Sequence, residues 1–281
     1  MSSYQQEIIK LIENALLEDD LVNDYSVNGL YDNKQIQSGV FITHTSGVLS
    51  GIEIVCLVYQ LINPKIKINI LKESGHFMSR GDAIASIEGP IKDILRGQSL
   101  ATNILKRMSG IATLTNRYIQ EIKSTNCNVL DSLDNTPNFR ILEKRAVIDG
   151  GGYNFGSNLS EQIFISNNHF ATIKNLDAEI KKLKENTKTK DLPINVEVEN
   201  RHEFLSAVNS NCDTIFISKM DDQLSELVAI NNHDKILVAK GNYSLGRVHS
   251  VAISGVDYIC IENLTNSYKA LDIEFRFYKG L

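Results

Sequence analysis

The chain has 281 residues, of which 42% are hydrophobic and 22% are charged, and its formal net charge at pH 7 is −5. This composition is typical of a globular protein with one large core or two modest ones, and it excludes the disordered and fibrous classes. The negative balance provides no overall positive field, which excludes nucleic acid and acidic membranes as expected partners.

The N-terminus and the cysteines indicate where the protein is found. The chain does not begin with a basic segment and an apolar run, as a signal peptide does, and no apolar stretch approaches the roughly 20 residues of a membrane span. The cysteines are widely scattered, at Cys56, Cys127, Cys212 and Cys260. Because none has a second cysteine or another ligand at metal-binding spacing, we expect reduced thiols in a cytoplasmic protein.

The first half of the chain predicts a helix followed by short strands. Apolar residues at helical spacing predict an amphipathic helix over residues 6–19. Glycine-punctuated runs then predict strands at 40–43, 47–51, 66–71 and 81–87. A long helix is predicted from 92 to about 123, with an interruption near Ser109 and Gly110. This half therefore predicts a small sheet domain with helices.

The second half alternates short apolar runs with helical segments. The runs lie at 128–130, 163–165, 194–198, 214–217, 236–239 and 258–261. From residue 194 onward the spacing is that of strands joined by crossover helices, which predicts a parallel sheet, and six such units approach a barrel. The change of pattern predicts an α/β protein with one domain over 1–110 together with 270–281 and a second over 111–269.

Polar residues follow each apolar run of the second half. In barrels, the carboxyl ends of the strands carry the functional residues. The stretches at these ends are 131–134, 166–169, 197–199, 218–219, 240–242 and 262–263. Any one of them is explained equally well by the start of a loop, but the ring as a whole favours a site.

About ten motifs, in a fixed order, carry a family resemblance. They lie at 101–113, 136–137, 140–144, 146–147, 150–154, 168–169, 196–199, 255–258, 264–265 and 270–273. In order and spacing they resemble quinolinate phosphoribosyltransferase, also called nicotinate-nucleotide pyrophosphorylase (carboxylating). The resemblance implies an N-terminal α/β sandwich, an open TIM-type barrel, and a dimer whose active site borrows residues from the partner.

The positions that the family uses for its anionic substrates differ in this chain. The family joins quinolinate to phosphoribosyl pyrophosphate with magnesium and releases pyrophosphate and carbon dioxide, and this chemistry needs cations. The substituted positions are Leu133 and Asp134 (Arg-Lys in the family), Phe155 and Gly156 (His-Arg), Ser166 (Lys), and Gly97 and Gln98 (Glu-Arg). The sites for both carboxylates of quinolinate are therefore expected to be missing.

The positions that handle phosphate and metal also differ. The family's Ser-Gly-Gly loop is Lys240-Gly241-Asn242, its Gly-Ala loop is Glu262-Asn263, and its Asp-Asn pair is Ser218-Lys219. Glu262 is expected to repel a phosphate unless Lys240 neutralises it, and Lys219 is expected to oppose Mg²⁺. Glu197 keeps its carboxylate and is the metal-ligand candidate, while Ser132 keeps a hydroxyl group.

These changes predict that the parent activity is lost or strongly reduced, which makes the chain a pseudoenzyme or a retooled binding protein. Removing a single group that stabilises the charge developing in the transition state commonly lowers the rate by about 10²–10³-fold. One alternative is an enzyme for a less anionic ligand, with Lys219 and Lys240 as anion-binding groups or nucleophiles. In another, these lysines pair with Glu262, Glu197 and Asp134 and fill the pocket. A third is full quinolinate activity through compensating residues.

The resulting candidate site has catalytic and ligand-binding members. The catalytic candidates are Glu197, Lys219 and Lys240, and the pocket candidates are Ser132, Asp134, Phe155, Ser166, His169, Ser218, Gly241, Asn242, Glu262 and Asn263. His169 is expected to be structural, and so are Arg107, Arg117, Arg140 and Lys144. No cofactor is expected to be required, and Mg²⁺ is expected only if the family activity is kept. The expected partners are a second copy of the chain, a small anionic metabolite, and an active homologue in a mixed dimer.

Overall fold

The computed structural model describes residues 3–32, 35–231 and 234–278, and these form two compact units. The first unit comprises the described residues within 1–116, 135–151 and 266–281, and the second those within 117–134 and 152–265. No helix in the described ranges is both long enough and apolar enough to cross a bilayer.

Ten α-helices, two short 3-10 helices and twelve strands are assigned within the described ranges. The helices are α1 (Ser3–Glu18), α2 (Tyr25–Leu30), α3 (Ile52–Ile62), α4 (Ile91–Ile122), α5 (Arg140–Asp149), α6 (Asn167–Phe170), α7 (Leu176–Glu185), α8 (Arg201–Val208), α9 (Leu224–Asn231) and α10 (Leu245–Ala252). The strands are β1 (Ile36–Thr43), β2 (Gly47–Val48), β3 (Lys67–Ile70), β4 (Phe77–Met78), β5 (Ala83–Pro90), β6 (Asn128–Leu130), β7 (Ile163–Ile165), β8 (Ile194–Val198), β9 (Thr214–Ser218), β10 (Ile236–Gly241), β11 (Tyr258–Ile261) and β12 (Ile273–Phe277).

The first unit is built on an antiparallel sheet with the strand order β12-β1-β5-β3. Its core joins Phe41, Ile87 and Phe275 from the sheet to Tyr59 from α3 and Leu105 from α4. In β5 the buried residues alternate with less buried ones from Ala85 onward, as in an antiparallel strand with one face against the core. The predicted sheet domain is confirmed.

Helix α4 is continuous, so the predicted interruption near Ser109 and Gly110 is wrong. Gly110 is needed for packing, because a Cβ atom there would lie 2.7 Å from the carbonyl oxygen of Lys269 and 2.7 Å from the ring of Tyr268. Tertiary packing therefore outweighs the helix propensity of glycine, which is about 1 kcal/mol poorer than that of alanine.

The second unit contains a parallel sheet of six strands in the order β6-β11-β10-β9-β8-β7. The predicted neighbours 194–198 and 214–217 pair in parallel, with Val196 opposite Ile215. Every residue of β8 and of β9 is buried, as expected for a parallel sheet covered on both faces. The predicted α/β fold class, with an N-terminal sheet domain and a parallel sheet joined by crossover helices, is confirmed. All carboxyl ends of these strands lie at one edge of the sheet.

An aromatic cluster lies inside the second unit. The ring of Phe155 lies 4.6 Å from that of Phe216 and 5.4 Å from that of Phe164, measured between ring centroids. Leu130 and partly buried Leu133 pack against the same cluster. Two positions at which the resembling family has cationic groups are thus used here as apolar packing.

Candidate active site

Polar side chains from the ends of four neighbouring strands line a cavity of about 530 Å³. Glu197 and Glu199 come from β8 and its end, and Ser218 and Lys219 from β9 and its end. The other two strands supply Lys240, Gly241, Asn242 and Glu262. Because strand ends at this edge of a parallel sheet are the usual place for function, the cavity is the candidate active site.

Lys240 lies at the centre of an ion-pair group. Its Nζ is 2.7 Å from Oε1 of Glu197 and 3.3 Å from Oε1 of Glu262. Ser218 donates a hydrogen bond of 2.9 Å from Oγ to the same oxygen of Glu197. Burial alone would lower the pKa of Lys240, but the hydrogen bond and charge of Glu197, with the charge of Glu262, raise it above its ordinary value. Lys240 is therefore a cation at neutral pH, which opposes a role as nucleophile.

Lys219 forms a second ion pair at the rim of the cavity. Its Nζ is 2.7 Å from Oε1 of Glu199, which also accepts a hydrogen bond of 2.9 Å from Nδ2 of Asn167. The hydrogen bond from Lys219, followed by that from Asn167, lowers the pKa of Glu199. Lys219 has a positive φ of 60°, a backbone conformation that costs a non-glycine residue about 1 kcal/mol. Its side chain is 70% exposed, so Nζ has room to move.

Another part of the cavity lining is built from residues that the sequence analysis did not select. Tyr243 donates a hydrogen bond of 2.9 Å to Oδ1 of Asp221, and Nη2 of Arg247 is 3.6 Å from Oδ2 of the same carboxylate. Burial, followed by the hydrogen bond to Asp221, raises the pKa of Tyr243. The available signal was their position in the sequence, because Asp221 lies two residues after the strand-end stretch 218–219 and Tyr243 directly follows the stretch 240–242.

The remaining candidates lie in different places. Ser132 is near the cavity, where its Oγ donates a hydrogen bond of 3.3 Å to the backbone oxygen of Glu262. Oδ1 of Asn263 is buried and has no hydrogen-bond partner in the described chain. Asp134 is exposed and is not among the residues that line the cavity. Phe155 belongs to the aromatic cluster, so it too lies outside the lining.

Ser166 and His169 have a structural role at the start of α6. Their side chains form a capping box, with Oγ of Ser166 2.8 Å from Nδ1 of His169. His169 lines a separate cavity beside β7, which includes Phe164 and Ile173. The structural role expected for His169 agrees with these contacts.

Arg107, one of the expected structural cations, is fixed within the first unit. Its guanidinium is 2.5 Å from Oε1 of the fully buried Glu143 and also donates to Thr136. The same group lies over the ring of Phe139, 4.8 Å from the centroid, and over that of Tyr268 at 5.5 Å. These contacts leave the guanidinium committed to packing in that unit.

The carboxylates of the cavity do not fit a directly bound magnesium ion. Oε1 of Glu197 already accepts from Ser218 and from Lys240, and the ammonium groups of Lys219 and Lys240 occupy positions where a cation would compete. Within the part of the chain that the structure describes, no three histidine, cysteine or acidic side chains are grouped so that they could hold a metal ion. The described residues therefore provide no all-protein set of ligands, and a Mg²⁺ ion held by one or two of these carboxylates would meet the competing ammonium groups of Lys219 and Lys240.

The cavity as a whole carries a negative balance. Four carboxylates line it, those of Glu197, Glu199, Asp221 and Glu262, against the three cations Lys219, Lys240 and Arg247. Each cation lies within 4 Å of a carboxylate. The ion pairs do not close the cavity, so it is open to a ligand although its charges are paired.

Comparison with known proteins identifies the family of the chain. The family model for the quinolinate phosphoribosyl transferase N-terminal domain matches residues 24–109, and that for the C-terminal domain matches 111–276. The probable nicotinate-nucleotide pyrophosphorylase [carboxylating] of Bacillus subtilis is 26% identical over 95% of this chain and 92% of that protein. A chloroplastic Arabidopsis thaliana relative of the same name is 28% identical over 84% of this chain and 72% of its own length.

Solved structures agree with the family models. The crystal structure of NadC from Streptococcus pyogenes matches with a TM-score of 0.91 and 26% identity, covering 99% of each chain. Nicotinate-nucleotide pyrophosphorylase from Ehrlichia chaffeensis matches with a TM-score of 0.90 and 27% identity, covering 96% of this chain and 98% of the other. The chain belongs to the quinolinate phosphoribosyl transferase family.

Proposed function

We propose that the chain is an enzyme that transfers a ribosyl group in this cavity to a ligand less anionic than quinolinate. The observation that carries the proposal is the pairing of Lys240 with Glu197 and Glu262. Quinolinate brings two carboxylates, which need unpaired cations before they leave water. A small metabolite with fewer negative charges needs none of these ion pairs to break.

The negative balance of the cavity suits ribosyl transfer. The sugar acquires positive charge at its anomeric carbon in the transition state for cleavage of a glycosidic bond. Glu197 is fixed by Ser218 and Lys240, so its carboxylate needs no reorganisation to stabilise that charge. We assign Glu197 to this role, and we assign Lys240 to orienting Glu197 as a positioning residue.

The relatives support catalysis more than a purely binding role. The Bacillus and Arabidopsis proteins are both named nicotinate-nucleotide pyrophosphorylase [carboxylating]. Their names favour a second candidate function, which is the carboxylating reaction itself. In this chain that reaction would draw on the two most exposed cations of the cavity, Lys219 and Arg247, whose side chains are 70% and 60% exposed. The two candidates differ in whether quinolinate is accepted.

Transfer assays separate these candidates. Nicotinate mononucleotide formed from quinolinate and phosphoribosyl pyrophosphate with Mg²⁺ is measured by chromatography. Parallel reactions offer an uncharged heterocycle, nicotinamide, with phosphoribosyl pyrophosphate or with ribose 1-phosphate as donor. We expect transfer to the uncharged acceptor, its loss in Glu197→Gln, and little or no product from quinolinate. Product from quinolinate alone would support the second candidate instead.

We also propose that the chain forms a homodimer, and that an active homologue, where one is present, joins it in mixed dimers. The first 30 residues support this with four large apolar side chains that are each more than 70% exposed, namely Leu17, Val22, Tyr25 and Leu30. Several large apolar side chains left exposed within one segment of the chain favour an interaction surface there.

A further inference from the structure

Glu262 makes one end of the cavity negatively charged. It shares a single cation, Lys240, with the carboxylate of Glu197, at Nζ–Oε1 distances of 3.3 Å and 2.7 Å. One ammonium group against two carboxylates leaves this group of three with an excess negative charge. A phosphate brought against it meets like charge at short range, which costs binding free energy.

The loop beside Glu262 does not offer a compensating cradle for an anion. A Cβ atom at Gly241 would lie 3.3 Å from Cζ of Tyr243 and 3.5 Å from its hydroxyl oxygen, so the ring of Tyr243 covers this face of the glycine. Glycine loops bind phosphate by letting it approach the bare backbone. Here the approach is taken by a side chain whose hydroxyl is held by Asp221.

The same end of the cavity has an excess of hydrogen-bond acceptors. Glu197 and Glu262 each use Oε1 to contact Lys240, while Oε2 of each makes no hydrogen bond or ion pair with the described residues. Both side chains line the cavity. An ionised carboxylate is an acceptor only, so a ligand satisfies these atoms with donors. Sugar hydroxyl groups supply donors without negative charge.

We propose that Glu262 is a specificity-determining residue that selects an unphosphorylated ribosyl group, whose hydroxyls it accepts, over the corresponding phosphorylated sugar. The inference rests on the proposed ribosyl chemistry of the cavity and names the class of ligand that this chemistry uses. Two further observations favour a sugar without phosphate. Glu197, Asp221 and Glu262 line the same cavity as Gly241, and the ring of Tyr243 covers one face of that glycine.

Binding of two sugars that differ by one phosphate tests the proposal. D-ribose and D-ribose 5-phosphate are titrated into the full chain at constant ionic strength, and chemical-shift changes are followed by NMR. The variants are Glu262→Gln, which removes the charge, and Glu262→Asp, which keeps it. The control is Asp222→Asn, which removes one charge from an exposed neighbour outside the cavity lining.

We expect the unmutated chain to bind ribose at least about tenfold more tightly than ribose 5-phosphate, since like charges in contact oppose binding. Glu262→Gln should reduce this preference by about tenfold or more, whereas Glu262→Asp and Asp222→Asn should keep it. Equal affinities in the unmutated chain, no binding of ribose, or an unchanged preference in Glu262→Gln would each overturn the proposal. The readout is binding, so it is independent of the turnover that tests the proposed function.

Discussion

Nζ of Lys240 lies 2.7 Å from Oε1 of Glu197, and both side chains are largely buried, with exposures of 19% and 6%. A buried pair contributes little net stability relative to an apolar pair of the same shape, but the loss of one partner leaves a charge without compensation. The charge of Glu197 in the cavity is therefore compensated mainly by Lys240, and loss of Lys240 should be costly.

Lys240→Met should destabilise the protein by about 3 kcal/mol, because the carboxylate of Glu197 then stays buried without its cation. The measurement is the free energy of unfolding in urea. Lys182→Met is the matched control, since Lys182 pairs with Glu179 on the surface of α7, where a pair contributes about 0.5 kcal/mol or less. The double variant Lys240→Met with Glu197→Gln should recover part of the loss. Equal effects in the two lysine variants would contradict this view of the pair.

Gly110→Ala should destabilise the protein by about 1–3 kcal/mol through overpacking. The new Cβ would lie 2.7 Å from the backbone oxygen of Lys269, which has no flexible side chain to move aside. Gly246→Ala is the control within α10, where a Cβ meets no atom within 4 Å, and it should stabilise by about 0.5–1 kcal/mol. Thermal unfolding measures both, and a neutral Gly110→Ala would show that the close approach is not rigid.

Glu274 should titrate far below an ordinary glutamate. The hydrogen bond from Arg276, followed by that from His44, lowers the pKa of Glu274 to about 2 from 4.5. Because the folded pKa is depressed, the stabilisation is present above pH 4.5 and is lost as the pH falls through about 2. Carboxyl ¹³C NMR measures the pKa directly, and Arg276→Gln should raise it. A pKa near 4.5 in the unmutated protein would contradict the geometry.

The strands were the part of the fold best predicted from the sequence. Runs such as 194–198 and 258–261 match β8 and β11, because a buried parallel strand leaves a continuous apolar signature. The two-residue strand β4 left no such signature. The continuity of α4 at Gly110 could not be predicted, since it depends on backbone that approaches from residues 268–270.

The charges of the cavity could be predicted, but not their pairing. The strand-end pattern selected Glu197, Lys240 and Glu262, which the structure brings together. Lys219 instead contacts Glu199. This pairing could not be predicted, because the positive φ of Lys219 directs its side chain and is not visible in the sequence. Tyr243 was missed because its role comes from a fold-back onto Gly241.

Light scattering should give twice the chain mass of 31.4 kDa. Exposed Val22 and Tyr25 in the first unit provide the apolar surface, and replacing both with aspartate should shift the population towards a single chain. Leu159→Asp is the control, because Leu159 is also an exposed apolar residue but lies in the second unit. A single-chain mass for the unmutated protein would refute the homodimer.

Quinolinate phosphoribosyltransferase activity should be absent or very weak in this protein, and variants that restore the family residues test this. The family residues at positions 133 and 134 are Arg and Lys. Leu133 is partly buried and Asp134 is exposed, so both substitutions can be made outside the fully buried core. Restoring His and Arg at Phe155 and Gly156 is different. Phe155 packs in the aromatic cluster. Gly156 has a φ of 58°, and a Cβ atom added there would lie 2.6 Å from Nε2 of Gln162, which is a steric clash.

We therefore expect the double variant Leu133→Arg with Asp134→Lys to keep the fold with a small loss of stability, since Leu133 is only partly buried against the aromatic cluster. It should gain quinolinate binding, seen as a rise in melting temperature with quinolinate. The variant that also changes Phe155 and Gly156 should lose stability by about 2–4 kcal/mol, because a polar ring replaces packed aromatic area and a side chain is forced into left-handed backbone. Nicotinate mononucleotide formation by the unmutated protein is the direct measurement. Turnover of about 1 s⁻¹ or more would show that the paired cations of the cavity do release to hold an anionic substrate.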